Sequence, residues 1–301
     1  MNKFVLRQSA LLLLAATIWG VAFVAQSVGM DYVGPFTFLA SRSFIGALVL
    51  LSYIALREKK TARLQEMQQT NVKLLVLGGI CCGCLLFVAS ILQQIGIMDT
   101  TVGKSGFITA MYIVIVPILS IFLKKRAGVK IWIGVALAVW GLYFLCMSPG
   151  AVSLQKGDIL TFFCAVAFSF HILTVDYFAP RIDGVKLSCI QFATCGLLSG
   201  IGMFIFETPT PEAVLAAWIP ILYAGALSSG VAYTLQIIGQ RRMNPTVASL
   251  LMSMESVISV IAGWVILQQA LSGREFVGCV LMFAAIILVQ LPDKIRVTDA
   301  K

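Results

Sequence analysis

Glu255 stands inside the stretch LLMSMESVISV, Leu250 to Val260, where every other residue is apolar or a serine. A carboxyl in such a setting can take up and release a proton or hold a cationic group. It can equally stay neutral and hydrogen-bond a neighbouring helix. On a helix its neighbours are Leu251, Met252, Ile258 and Ser259, with Ala248 and Ala262 two turns away, so small residues leave room on that face. Other polar groups recur at helical spacing. Ser229, Tyr233, Gln236 and Gln240 share one face, Gly83, Phe87, Ser90 and Gln94 a second, and Trp19, Phe23 and Gln26 a third. Amides and aromatic rings arranged this way would line a path for an amphipathic solute. The plainer alternative is hydrogen bonding between helices, which averages about 0.6 kcal/mol, and for Trp19 simple packing.

Two further side chains can carry charge. His171 is the only histidine of the chain. An imidazole titrates near neutrality, but one histidine on an apolar run is more often a packing group than a proton or ligand site. Arg42 can bind a carboxylate or phosphate through its forked donors, or tie down a helix end through backbone carbonyls, which is the commoner role. No metal site is expected around one histidine without an acidic cluster. Cys81 and Cys84 make a C-x-x-C, yet all eight cysteines lie in apolar runs that disfavour thiolates, so they read as small packing residues.

These groups need elements to hold them, and composition says which. The chain has 301 residues, 59% hydrophobic and 12% charged. Soluble domains carry about 25% charged residues, so this chain is a polytopic membrane protein with the lipid bilayer as its first partner. The net charge of +9 is distributed between apolar runs, which argues for membrane orientation rather than nucleic-acid binding. Spanning runs fall at 9–28, 34–56, 73–95, 101–123, 129–147, 157–179, 187–206, 213–239, 245–267 and 274–291. The first is expected to be a retained span, since it exceeds the ~7–15-residue core of a signal peptide. Asn244-Pro245 reads as an N-cap followed by a first-turn proline. With the N-terminus inside, 18 Lys and Arg fall on the inner side and three (Lys104, Lys156, Arg274) on the outer, with Arg42 left within a span. That bias predicts ten transmembrane helices with both termini cytoplasmic.

The chain repeats itself. ASILQQIG, Ala89 to Gly96, aligns without a gap on AYTLQIIG, Ala232 to Gly239, and in this register Tyr112 falls opposite Glu255. The expected fold is therefore all-α, with two five-helix repeats over 1–150 and 151–301. An odd number of spans inverts the second repeat relative to the first, an architecture suited to alternating access.

The combination resembles the EamA branch of the drug/metabolite transporter superfamily. Ile18-Trp19-Gly20, Arg42 after the Pro35 loop, and the small-residue-rich third and fourth spans repeated as the eighth and ninth carry the likeness. The family's leucine-glutamate-proline reads Met254-Glu255-Ser256 here, and a proline, Pro117, lies beyond Tyr112 in the fourth span. The resemblance implies a multi-pass inner (plasma) membrane protein. It would export a small metabolite, amino acid or drug, driven by a proton gradient, with no bound cofactor. Expected substrate-binding or coupling residues are Glu255, Tyr233, Gln236, Trp19, Gln26, Gln94, His171 and Arg42. An intramembrane enzyme, or a channel or receptor with a polar central cavity, is the alternative. G-x-S-x-G, H-E-x-x-H and a phosphate-binding G-x-x-x-x-G-K-[ST] are all missing from the sequence, as is a visible selectivity ring. Nothing in the sequence sets an oligomeric state.

Overall fold

A computed structural model describes residues 3–61, 71–99, 102–123, 128–146, 155–267 and 272–290. Every regular element among them is helical, as a hydrocarbon setting requires when backbone polar groups must be satisfied within the segment. The first half holds α1 (Lys3–Met30), α2 (Pro35–Thr61), α3 (Val72–Met98), α4 (Val102–Thr109), α5 (Tyr112–Phe122) and α6 (Val129–Cys146). The second holds α7 (Lys156–Phe178), α8 (Gly184–Phe206), α9 (Pro211–Ala216), α10 (Trp218–Leu222), a π-helical segment (Tyr223–Ala232), α11 (Tyr233–Gln240), α12 (Pro245–Met252), α13 (Met254–Leu267) and α14 (Gly273–Gln290). Among the described residues, 8 helical stretches are long and apolar enough to cross a membrane, and Val129–Phe144 is apolar but shorter. The expected boundary at 150 and the basic residues Lys124, Lys125, Arg126, Lys294, Arg296 and Lys301 lie outside the described residues.

The distribution of polarity is that of a membrane bundle. Large apolar side chains such as Leu48, Leu56, Phe204 and Phe276 face outward. Gln8, Gln26, Arg42, Gln93, Gln94, His171, Gln191, Gln236 and Glu255 are buried. Each of these polar groups is costly in lipid, so the interior is where they must go.

Helix ends follow local chemistry. Asn71 Oδ1 accepts from Leu74 N–H at 3.1 Å and opens α3. The expected cap at Asn244 is present: its Oδ1 accepts from Thr246 N–H at 2.9 Å, with Pro245 starting α12. Asp183 caps α8 through the N–H groups of Val185 and Lys186 at 2.9 and 3.1 Å.

Two helices, one from each half, are joined at both ends and run antiparallel. At one end Glu207, just past α8, accepts from the N–H groups of Phe36 and Thr37, both at 2.8 Å, and from Thr37 Oγ1 at 2.5 Å. At the other, Arg57 of α2 meets Asp183 at 2.5 Å and Lys186 of α8 meets Glu58 at 2.7 Å. Elsewhere α3 packs along α7 and α8, α14 along α6, and α1 against α13 and the π-helical segment.

Candidate functional site

Two rods are interrupted at matching places. α4 ends at Thr109 and α5 begins at Tyr112; α12 ends at Met252 and α13 begins at Met254, one residue before Glu255. Neither interruption holds a proline, and Pro117 sits inside α5 without breaking it. The cause is a local tightening of the hydrogen-bond ladder. N–H groups of Met111, Ile113 and Val114 reach back three residues, to Ile108, Ala110 and Met111, and Ser256 N–H reaches Ser253. Serine hydroxyls compete with the ladder in the second rod: Ser249 Oγ donates to Thr246 O at 2.9 Å and Ser253 Oγ to Leu250 O at 2.7 Å. The rods touch near their breaks: Ser256 Oγ of α13 donates to Gly106 O of α4 at 3.4 Å.

Beside them lies a cavity lined by residues of both halves of the chain. From the two rods come Thr109, Tyr112, Met252 and Glu255; from α1, Trp19, Phe23 and Gln26; from α2, Arg42. α3 gives Gln93, α7 gives Phe168 and Ile172, and the π-helical segment with α11 gives Ser228, Tyr233 and Gln236. Much of this lining is paired by the repeat. Tyr112 and Glu255 are 143 residues apart, and the same separation relates Gln93 to Gln236 and Thr109 to Met252.

The polar contacts divide the cavity into two regions. Tyr112 Oη donates to Glu255 Oε1 at 3.0 Å, and close by Gln93 Nε2 donates to Thr109 Oγ1 at 3.3 Å. Glu255 is buried, and no basic side chain pairs with it among the described residues. In the second region Arg42 Nη1 donates to Gln26 Oε1 at 3.1 Å. Between them the ring of Tyr233 meets Trp19 edge-on, centroids 4.7 Å apart, and Phe192 at 5.2 Å. Gly20 brings α1 directly against α13: a Cβ there would stand 2.5 Å from Ile258 Cβ and 2.8 Å from Glu255 O.

Of the residues expected from sequence, Glu255, Tyr233, Gln236, Trp19, Gln26 and Arg42 come together on the cavity. Gln94 and His171 do not line it. Gln94 Nε2 contacts Met30 Sδ at 3.2 Å, while Gly83, on the same expected face, meets Thr194 of α8. Helix α3 presents Gln93 to the cavity instead. His171 is fully buried, its Nε2 3.2 Å from Gln191 Oε1 and its ring 6.1 Å from that of Tyr233. Arg42 and Gln191 hold the same place counted from the first residues of their helices, Pro35 and Gly184. Each contacts a polar side chain of the helix before it, Gln26 of α1 and His171 of α7.

Ser228, not the expected Ser229, joins Tyr233 on the cavity. The N–H of Tyr233 bonds Ser228 O, five residues back. A π-helical turn aligns i with i+5, whereas α-helical spacing puts Ser229 on the face of Tyr233. Ser229 packs on Gly46 of α2. Tyr112 and Gln93 were signalled by the register of the repeat; Ser228, Phe168 and Ile172 carried no distinguishing signal.

Comparisons with known proteins agree on the whole chain. An uncharacterized transporter of Archaeoglobus fulgidus is 28% identical over 281 residues, 93% of this chain and 84% of that protein. The uncharacterized transporter YoaV of Bacillus subtilis is 21% identical, covering 90% of this chain and 92% of its own. The uncharacterized inner membrane transporter YedA of Escherichia coli is 21% identical over 91% of this chain and 87% of its own. A solved crystal structure shares the fold with a TM-score of 0.77 at 18% identity, covering 94% of this chain and 96% of that one. The sequence matches one family twice, over residues 7–147 and again over 155–291. A cavity built from matched positions of two repeats sits inside a polytopic apolar bundle, and the chain belongs to the EamA-like transporter family.

Proposed function

We propose that this membrane transporter is a secondary exporter of a small amphipathic metabolite, working by alternating access and coupled to protons through Glu255. The observation that carries the reading is the Tyr112–Glu255 hydrogen bond at 3.0 Å. It sets the one carboxyl of the cavity lining on the interruptions of two repeat-related rods. A change in protonation there alters a contact between the halves and the charge of the cavity in one event. Interrupted helices at a midplane site are a recurring feature of transporters with inverted repeats. The antiparallel course of α2 and α8, at corresponding places in the two halves, supports the inverted relationship. The excess of Lys and Arg on one side of the chain supports ten spans with both termini cytoplasmic. The name of the Escherichia coli relative, an inner membrane transporter, supports residence in the inner (plasma) membrane.

The test compares metabolites in the medium of cells overexpressing the native chain or Glu255→Gln at equal membrane abundance. The reading expects specific compounds to accumulate outside cells with the native chain and to fall to background with the variant. Equal export by both would leave transport standing and remove Glu255 from coupling. A medium unchanged by the native chain, in cells fed a broad metabolite mixture, would count against export.

A further inference from the structure

Among the cavity-lining residues, three buried polar atoms have no hydrogen-bond partner: Arg42 Nε, Trp19 Nε1 and Gln236 Oε1. Two of the three are donors. Arg42 is 4% exposed, and its one hydrogen bond among the described residues is that to Gln26 at 3.1 Å. The ring of Phe38 lies 6.0 Å from the guanidinium carbon, at the outer limit of a cation–π contact. No carboxylate pairs with Arg42 among the described residues; Glu255, on the same cavity, is bonded to Tyr112 instead.

A buried guanidinium with free donors and no counter-ion is a receptor for a planar oxyanion, whose oxygens match its fork. Trp19, whose Nε1 also lacks a partner, lines the same cavity. The neighbouring surface is apolar: the rings of Trp19, Phe23 and Tyr233, with Ile172 opposite. Arg42 is the only basic residue of the lining, so a dianionic phosphate would keep an uncompensated charge away from water. With Glu255 protonated, a monoanion leaves none. From this we infer that the cavity takes an amphipathic carboxylate, its carboxylate on Arg42 and its aromatic or aliphatic body against Trp19, Phe23 and Tyr233. The inference rests on the transport reading of the cavity and names the solute class.

The experiment measures equilibrium binding to the full chain in lipid nanodiscs, with empty nanodiscs subtracted. Three probes share one skeleton: 3-phenylpropionate, 3-phenylpropanamide and 3-phenylpropylamine. The native protein is expected to bind the acid saturably and at least about tenfold more tightly than the amide or the amine. Arg42→Gln removes that preference, and Arg42→Lys, which keeps the charge without the fork, retains part of it. If Arg42→Gln does not fold, the native acid-to-amide ratio and Arg42→Lys decide. Equal binding of acid and amide, tighter binding of the amine, or no saturable binding of the acid overturns the inference. The export comparison separates the two readings. Enrichment of neutral or cationic compounds in the medium keeps transport and discards the carboxylate. Acid binding without export keeps the anion site and discards the exporter.

Discussion

Tyr112 and Glu255 occupy the same register in two repeats, 143 residues apart, and are joined by a hydrogen bond of 3.0 Å. One repeat supplies the donor and the other the acceptor, each beside the interruption of its own rod. Tyr112→Phe removes the donor and keeps the ring. It is expected to lower stability by about 1 kcal/mol, and to lose that effect in a Glu255→Ala background. Thermal unfolding of the two single variants and the double variant in detergent measures the coupling. Additive effects would mean that the pair does not interact.

Gly20 lets α1 pack tightly on the segment carrying Glu255, with a would-be Cβ 2.5 Å from Ile258 Cβ. Gly20→Ala is expected to destabilise the protein by about 1–3 kcal/mol through overpacking. Ile258→Ala in the same chain should recover part of the loss by removing the clashing branch. Melting temperatures of the single and double variants check both statements.

Glu207 satisfies two N–H groups at the start of α2 and the hydroxyl of Thr37, from 2.5 to 2.8 Å. Glu207→Ala is expected to cost about 1–2 kcal/mol, as loss of a charged helix cap does. Hydrogen exchange should show the effect first in the opening turn of α2. Unchanged protection there would refute the capping role.

Asp183, ahead of α8, gives a pH dependence. Burial alone would raise its carboxyl, but the hydrogen bond from Arg57 and those from the N–H groups of Lys186 and Val185 outweigh it and hold it below the usual range. A group depressed in the folded state adds stability above its unfolded value and loses it as pH falls through the folded one. Asp183→Asn should therefore melt below the native protein at neutral pH, with the gap closing only under acid, below about pH 4. The gap should be modest, because the Arg57 partner is half in solvent, its side chain 44% exposed, and such pairs contribute about 0–1 kcal/mol. A gap that widened on acidification would reverse the sign.

The membrane class, the family and the matching register of Tyr112 and Glu255 are legible because each rests on composition, length or register. The interruption before Glu255 is not. The proline that would mark it is replaced by Ser256, and the break is made instead by serine hydroxyls and a tightened ladder, which ordinary polar residues can produce. Gln94 was placed by ideal helical spacing, and its neighbour Gln93 faces the cavity instead; in a helix buried on several sides, polar residues next to each other give no hint of which looks inward. Ser229 failed for a sharper reason: the π-helical segment shifts the same-face interval from four residues to five, and sequence spacing assumes that the interval is constant.

The double attachment of α2 to α8 constrains how such a molecule can change shape. Each rim of that pair is closed by charged hydrogen bonds, Glu207 at one and Arg57–Asp183 with Glu58–Lys186 at the other. Prising these helices apart would break those bonds, and sliding one along the other would break both sets at once. These exposed pairs are individually weak, so α2 and α8 are held as one unit chiefly by packing along each other, with the polar contacts fixing their register. The helical ladder is broken elsewhere, in the interrupted rods where Tyr112 and Glu255 are found.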